Sequence, residues 1–463
     1  EGDDVFLFGR GYGYDKITDA EGEDVLRLGV GILPEDVSFY QNQSSLIVVI
    51  DESGTQASLE FYFLPDSDSI EKIEFDGGFG VIWTATEIAP HIQMEGVQND
   101  MVGTAGDDTF VVDNRHDTIS ELPNEGIDIV ISSVDYELPE NVENITLTGV
   151  LNISAIGNQL DNVLIGNGSN NFLNGKAGRV YSGGDITGYD TAYGGLGDDV
   201  YRNIDVIVEN PGEGNDTWIS GYGGVLPDNV ENLSLADGSS SHYIYAVHAI
   251  GNELDNTLTS SNKGVGGDVL DGRAGADTMI ALGLDGVIFY VDNPGDKVIT
   301  GNDTSLDHEV RSSIDYILPE SVDNLTLLDS AVNGTGNDLN NELKGTWSAA
   351  ANILSGGEGD DKYILGVGDK VVELAGEGFD RVELNYFSAE GYYAEETSIE
   401  SYKLESNARS MGLFGSNNDE KLVGNNYASR IEGAGGNDTL FGKGGNDVLV
   451  GGVGDDILYG GNG

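Results

Sequence analysis

The residues with the clearest capacity for chemistry are aspartates that close glycine-rich turns. Residues 433–459 read GAGGNDTLF, GKGGNDVLV and GGVGDDILY. Gly433, Gly442 and Gly451 therefore recur every nine residues, in phase with Asp438, Asp447 and Asp456 and with Leu440, Leu449 and Leu458. Glycines let the backbone take positive φ and bring carbonyl oxygens together. Such a turn cannot satisfy all its carbonyls internally, and the aspartate adds a carboxylate to the same cage, so the expected chemistry is capture of a hard cation. The last three residues of each nonamer alternate out, in, out, as a short strand does. One nonamer then makes half a coil and residues 18 apart stack, which puts Asp438 and Asp456 on one side and Asp447 on the other. With neighbouring strands about 4.8 Å apart, an ion midway between stacked turns lies about 2.4 Å from each. That is inside the roughly 2.3–2.6 Å range of calcium–oxygen bonds and longer than the ~2.0–2.1 Å of magnesium.

Comparable turns occur upstream. Asp4, Asp108, Asp199, Asp277 and Asp361 stand at the sixth position of such turns, and a second set follows Glu-Gly-x-Asp: Asp128 in EGID, Asp216 in EGND and Asp380 in EGFD. Gly-Asp at 295–296 and 368–369 is a weaker version. GNNYASRIEG has Ser429 where the aspartate belongs, and GKAGRVYSGG carries Lys176 and Arg179, which weakens the case for an ion in either turn. The three perfect nonamers resemble the GGxGxDxUx repeat of RTX (repeats-in-toxin) proteins, which bind calcium in a parallel β-roll. The resemblance implies several calcium ions, with the backbone of Gly433, Gly435, Gly442, Gly444, Gly451 and Val453 completing the shells of Asp438, Asp447 and Asp456.

Charge and composition bound the rest. Among 463 residues, 81 Asp and Glu face 21 Lys and Arg, a net charge of −60. A compact fold resists that self-repulsion only with cations to neutralise it, so a metal-dependent fold is expected. The charge excludes nucleic acid as a partner and disfavours anionic membranes. A hydrophobic content of 38% with regular Val, Ile and Leu spacing argues against disorder. Cysteine is absent, so calcium takes the stapling role of disulfides. No stretch has transmembrane length and no signal peptide opens the chain. Glu1–Phe6 and Gly460–Gly463 both read as incomplete repeats, which suggests a piece of a longer array. The five histidines never form HExxH, and neither GxSxG nor a cysteine nucleophile occurs. A non-enzymatic role is therefore expected.

The elements that position these turns are short strands. Residues 1–98 contain two degenerate nonamers (11–17 and 21–26) and GILPEDVSFYQNQSSLIVVI, expected to form a turn and strand hairpin; their order resembles the hemolysin-type calcium-binding related domain. Residues 79–98, with Trp83, His91 and Met94, have no readable pattern. Three landmarks then recur: GTAGDDTFVVD-like turns, LPENVENITL (138–147, 226–235 and 318–327), and GNQLDNVLIG (157–166, 251–260 and 336–345). They define long repeats at 99–193, 194–271 and 272–355, a degenerate fourth at 356–432, and the nonapeptide roll at 433–463. Proline starts the LPENVEN turn, after which Val142, Ile145 and Leu147 alternate inward. Asparagine in GNQLDN is read as a glycine substitute, because it tolerates left-handed φ. The aromatic cluster 386–393, including Tyr392 and Tyr393, is expected to pack in the core.

The fold class expected is all-β: a right-handed parallel β-roll or β-solenoid built from glycine- and aspartate-rich nonapeptide turns. By the RTX resemblance the chain is a structural or adhesive segment, extracellular or on a bacterial cell surface, folding on calcium after export. Self-association or contact with a cell surface or extracellular matrix are the partners implied. The alternative is an accessory module of a secreted enzyme or toxin.

Overall fold

A computed structural model describes residues 3–10, 14–17, 24–42, 45–50, 57–62, 72–78, 81–84, 92–94, 98–176, 188–236, 247–261, 267–282, 286–301, 307–346, 351–366, 368–385, 391–394, 398–406, 408 and 412–463. These residues form strands and tight turns, with short 3-10 turns at Pro34–Asp36 and Asp76–Gly78. The chain divides into two compact units, Glu1–Ile219 with Pro227–Val230, and Ser220–Leu226 with Glu231–Gly463. No helix among the described residues is long and apolar enough to cross a membrane.

The first unit opens with two small sheets. Val5–Phe8, Val25–Leu28 and Lys72–Glu74 pair in parallel, and Ile82–Thr84 closes that sheet antiparallel. Val37–Asn42 and Ser45–Ile50 form the expected antiparallel hairpin. Phe39, Val48, Ile50, Ile73 and Phe75 build a shared core beneath them. The stretch without a readable pattern supplies two strands, Ile82–Thr84 and Ile92–Met94, the second parallel to Val37–Asn42. Trp83 packs edge-on to Phe75, with ring centroids 5.1 Å apart. Strands of three residues are too short to show periodicity, which is why this segment was silent. His91 lies outside the described residues.

The chain then winds into stacked parallel coils. In the first unit Thr109–Val112, Ile129–Ser132, Asn144–Leu147, Val163–Ile165, Thr191–Tyr193 and Val206–Val208 form one sheet. Tyr136–Glu137, Ser154–Ile156, Phe172–Asn174, Val200–Arg202 and Thr217–Ser220 form another. The reason is visible in the side chains. A three-residue strand points one side chain inward and two outward. The inward ones, Leu164, Ala192, Ala155, Leu173 and Tyr201, are fully buried. Full burial of one Leu or Ile contributes about 1.5–3 kcal/mol, too little for one coil alone and enough once coils stack. In the LPENVENITL landmark Val142, Ile145 and Leu147 are buried as expected. Asn141 takes φ 69° and Asn229 φ 65°, values that asparagine adopts more readily than most residues.

The second unit repeats this plan with a 13-stranded parallel sheet from Gly224–Val225 to Ile457–Tyr459, with shorter parallel stacks such as Asn333–Thr335 on Ile353–Ser355. At its C-terminal end Thr439–Phe441 pairs with Ile457–Tyr459, and Arg430–Gly435 with Val448–Val453. The nonamers thus alternate between two sheets and residues 18 apart stack. The architecture is a parallel β-solenoid. The aromatic cluster departs from expectation. Tyr393 is 62% exposed and stacks on Phe414 at 4.5 Å, while half-buried Tyr392 lies 5.8 Å from Tyr402. Tyr392–Tyr393 is a two-residue strand, so successive side chains take opposite faces and one of them must point out. Tyr386 and Phe387 lie outside the described residues.

Candidate metal centres

One hydrogen-bond pattern links successive turns. The backbone N–H of a turn's closing residue donates to a carboxylate oxygen of the closing residue one coil later. Asp108 donates to Asp128 Oδ1 at 2.8 Å, Asp199 to Asp216 Oδ1 at 2.8 Å, Asp277 to Asp296 Oδ1 at 3.0 Å, Asp361 to Asp380 Oδ1 at 2.8 Å and Asp438 to Asp456 Oδ1 at 3.0 Å. One carboxylate oxygen is therefore committed to stacking. The other, Oδ2 of Asp128, Asp190, Asp199, Asp277, Asp361, Asp438 and Asp447, is buried without a hydrogen-bond partner. It faces its own turn. A Cβ placed on Gly194, Gly272, Gly356, Gly433 or Gly442 would collide with it, as one on Gly451 would with Asp456 Oδ2. In these turns glycine is required at the head because the carboxylate occupies the space of a side chain.

A buried, unpartnered carboxylate oxygen is costly unless a proton or a cation reaches it. Burial accordingly pushes Asp199 up to about 8 and Asp190, Asp277 and Asp361 up to about 7. The backbone N–H donated to each acts in the opposite direction, and neighbouring carboxylates, such as Asp216 beside Asp199, push further up. A divalent cation inverts this balance by stabilising the charged form. The donor set of carboxylates beside glycine-turn backbone suits an oxygen-seeking ion such as calcium.

The GNxLDN turns solve the same problem without charge. Asn162 Oδ1 accepts the Asn158 N–H at 2.7 Å, while its Nδ2 donates to Glu143 O at 3.0 Å and Asn158 Oδ1 at 3.2 Å. Asn158 Nδ2 in turn donates to Pro139 O and Val142 O at 2.6 and 2.7 Å. Asn167 with Asn171, Asn252 with Asn256, and Asn337 with Asn341 repeat the paired arrangement. The amide brings its own donor where the carboxylate needs a cation. This corrects the reading of asparagine as a glycine substitute: Asn158, Asn167, Asn252 and Asn337 do not have positive φ, and their role is hydrogen bonding. Asn256→Ala should consequently cost about 1–3 kcal/mol for each buried partner left unsatisfied. The loss should be read as a shift in urea midpoint in saturating calcium, where the chain is folded.

The other turn residues fall as follows. Asp4 is exposed, and its N–H donates at 2.7 Å to Asp24, the buried member of that pair. Asp216 and Asp380 are buried, whereas Asp108, Asp447 and Asp456 are half-buried. Gly433, Gly435 and Gly442 are buried, Gly444 and Gly451 half-buried, and Val453 exposed. Asp296 and Asp369 each spend their second oxygen on a turn N–H, from Asn293 at 3.0 Å and Gly366 at 2.6 Å. Ser429 closes its own turn through Tyr427 O at 3.0 Å. Lys176 pairs with Glu137, and Arg179 lies outside the described residues.

Sequence reasoning missed Asp190, which follows the insertion at 177–187 and so shows no nonamer. It also missed Glu121, Glu209 and Glu373, each buried with an unpartnered Oε2. The available signal was a glutamate four residues before the Glu-Gly-x-Asp glutamate, in ELPNEGID, ENPGEGND and ELAGEGFD.

Comparison with known proteins agrees with this geometry. Four stretches, 156–179, 187–202, 414–449 and 432–463, match the RTX calcium-binding nonapeptide repeat. Two proteins of Rhizobium meliloti (strain 1021) are similar over 66 residues: endo-1,3-1,4-beta-glycanase EglC at 38% identity and endo-1,3-1,4-beta-glycanase ExsH at 36%. Each match covers 14% of this chain and 14% of the relative's length.

Proposed function

We propose that this chain, an RTX calcium-binding repeat protein, serves as a structural or adhesive segment of a secreted or cell-surface bacterial protein and folds when it meets calcium outside the cell. The observation behind this reading is the row of buried carboxylate oxygens without partners, present in both units. Those of Asp190, Asp199, Asp277, Asp361, Asp438 and Asp447 sit against turn glycines, an arrangement suited to holding ions and stiffening a fold. Its partners would be calcium, further copies of the chain, or a cell surface or matrix.

The two glycanase relatives favour a second reading: an accessory module of a secreted, polysaccharide-acting enzyme. Sedimentation of the purified chain at low and saturating calcium, beside binding to bacterial cells and a screen against ester, peptide and β-1,3-1,4-glucan substrates, separates the two. Calcium-dependent self-association or attachment without turnover is the expected result. Turnover by the chain itself would defeat the structural reading. Calcium-dependent compaction with neither association nor attachment would favour the accessory module.

A further inference from the structure

Three pairs of successive turns share a feature that the nonapeptide pattern lacks. A turn closed by Asp108, Asp199 or Asp361 is followed one coil later by a turn that begins with Glu121, Glu209 or Glu373. Glu209 directly follows the strand Val206–Val208, just as Gly194 directly follows the stacked strand Thr191–Tyr193. The glutamate thus occupies the coil position that glycine holds in the turn before. Its side chain folds back onto that turn. A Cβ on Gly103 would collide with Glu121 and one on Gly194 with Glu209, while the Gly356 N–H donates to Glu373 Oε1 at 3.0 Å.

There the glutamate meets two stacked aspartates. One oxygen each from Asp199, Glu209 and Asp216 lie within 4.8 Å of one another, as do oxygens of Asp108, Glu121 and Asp128. The hydroxyls of Tyr201 and Tyr363 donate to Oε1 of Glu209 and Glu373. Oε2 of all three glutamates stays buried and unpartnered, beside the equally unpartnered Oδ2 of Asp128, Asp199 and Asp361.

The third long repeat provides an internal contrast. Ile288–Val291 stacks on Glu309–Ser312 as Thr109–Val112 stacks on Ile129–Ser132. Val287 therefore stands where Asp108 does and His308 where Asp128 does. Thr300 follows Lys297–Ile299 as Glu121 follows Thr118–Ser120. All three acids are replaced together, yet the ladder survives, because the Val287 N–H donates to His308 Nδ1 at 3.0 Å. Stacking therefore needs only an acceptor. Three acids that vanish as a set share some other task.

We propose that Asp108–Glu121–Asp128 and Asp199–Glu209–Asp216 form a second class of calcium site, held by three carboxylates, that Asp361–Glu373–Asp380, equivalent by register, completes such a site when the ion draws its oxygens together, and that the third long repeat has lost it. Carboxylate oxygens within 4.8 Å of one another can share a single ion, and a donor set drawn from separate turns suits the larger, more flexible oxygen shell of calcium better than the strict octahedron of magnesium. Three anionic ligands raise affinity over a carbonyl-rich shell, so these sites fill first as calcium rises. The proposal rests on calcium binding by the repeats.

The test is equilibrium dialysis of the full chain with radioactive calcium, beside terbium emission excited through Tyr201 and Trp218, which are register partners across adjacent coils. Glu209→Gln should remove one tight ion or weaken it at least tenfold and should lower the terbium signal. Combining it with Glu121→Gln and Glu373→Gln should remove three, with the strand spectrum retained in saturating calcium. A wild-type ion count in the triple variant would overturn the proposal, whereas a wild-type chain that binds no calcium would instead sink the repeat reading beneath it. Should Glu209→Gln not fold, terbium lifetimes of the wild-type chain in H2O and D2O decide. A class of ions largely stripped of water is expected, and its absence would count against the site.

Discussion

Removing calcium at pH 7.5 should convert the chain's strand spectrum to coil, and restoring millimolar calcium should reverse the change. The net charge of −60 opposes compaction, and each buried Oδ2 is left without a counter-charge. Each occupied site adds RT ln(1 + [L]/Kd), about 2.7 kcal/mol at a hundredfold excess of free ion. Several sites together exceed the usual domain stability of roughly 5–15 kcal/mol. The loss should therefore be cooperative within each unit. Circular dichroism in a chelator is the measurement, and unchanged strand content would refute a metal-dependent fold.

The second large effect is a reversal of pH dependence by calcium. Burial raises Asp199, Glu209 and Glu373 to about 8 and Asp190, Asp277 and Asp361 to about 7. An unfolded chain titrates these groups near 4. Between about pH 4 and 8 the ion-free folded state thus binds more protons than the unfolded one, and its stability falls as pH rises. Without calcium the fold should be most stable near pH 4–5 and weakest above 8. Calcium competes with those protons, so its affinity should rise with pH up to about 8, with net proton release on binding near pH 7. Strand content, and urea midpoints wherever the chain is folded, at pH 5 and 8, each with chelator and with saturating calcium, check this. Parallel slopes in the two conditions would mean that the buried acids do not exchange protons for ions.

How far the amino acids alone reveal this protein depends on how local the physics is. The stacking of the C-terminal nonamers was legible, because nine residues contain a whole turn and its strand, although Leu458, expected to point inward, is 44% exposed in the last coil. The hairpin at Val37–Ile50 was legible for the same reason. Glu209 was not. Its meaning depends on Asp199, Gly194 and Tyr201, which only stacking brings together. Asn158 was misread because its φ preference is a property of one residue, whereas its hydrogen bonds to Pro139 and Val142 cross to the preceding coil. Tyr393 misled through composition, since an aromatic cluster suggests a core until a two-residue strand turns one member outward.

The N–H-to-carboxylate ladder runs one way. In every pair given above the earlier turn donates and the later turn accepts, as from Asp438 to Asp456 and from Ser429 to Asp447. The last coil of a stack thus presents turn N–H donors to solvent, and the first coil presents carboxylate acceptors. Growth of the stack is therefore polar, like that of a filament with unequal ends. Within each unit a further coil can add only head to tail, with its carboxylate edge against the donor edge of the last coil.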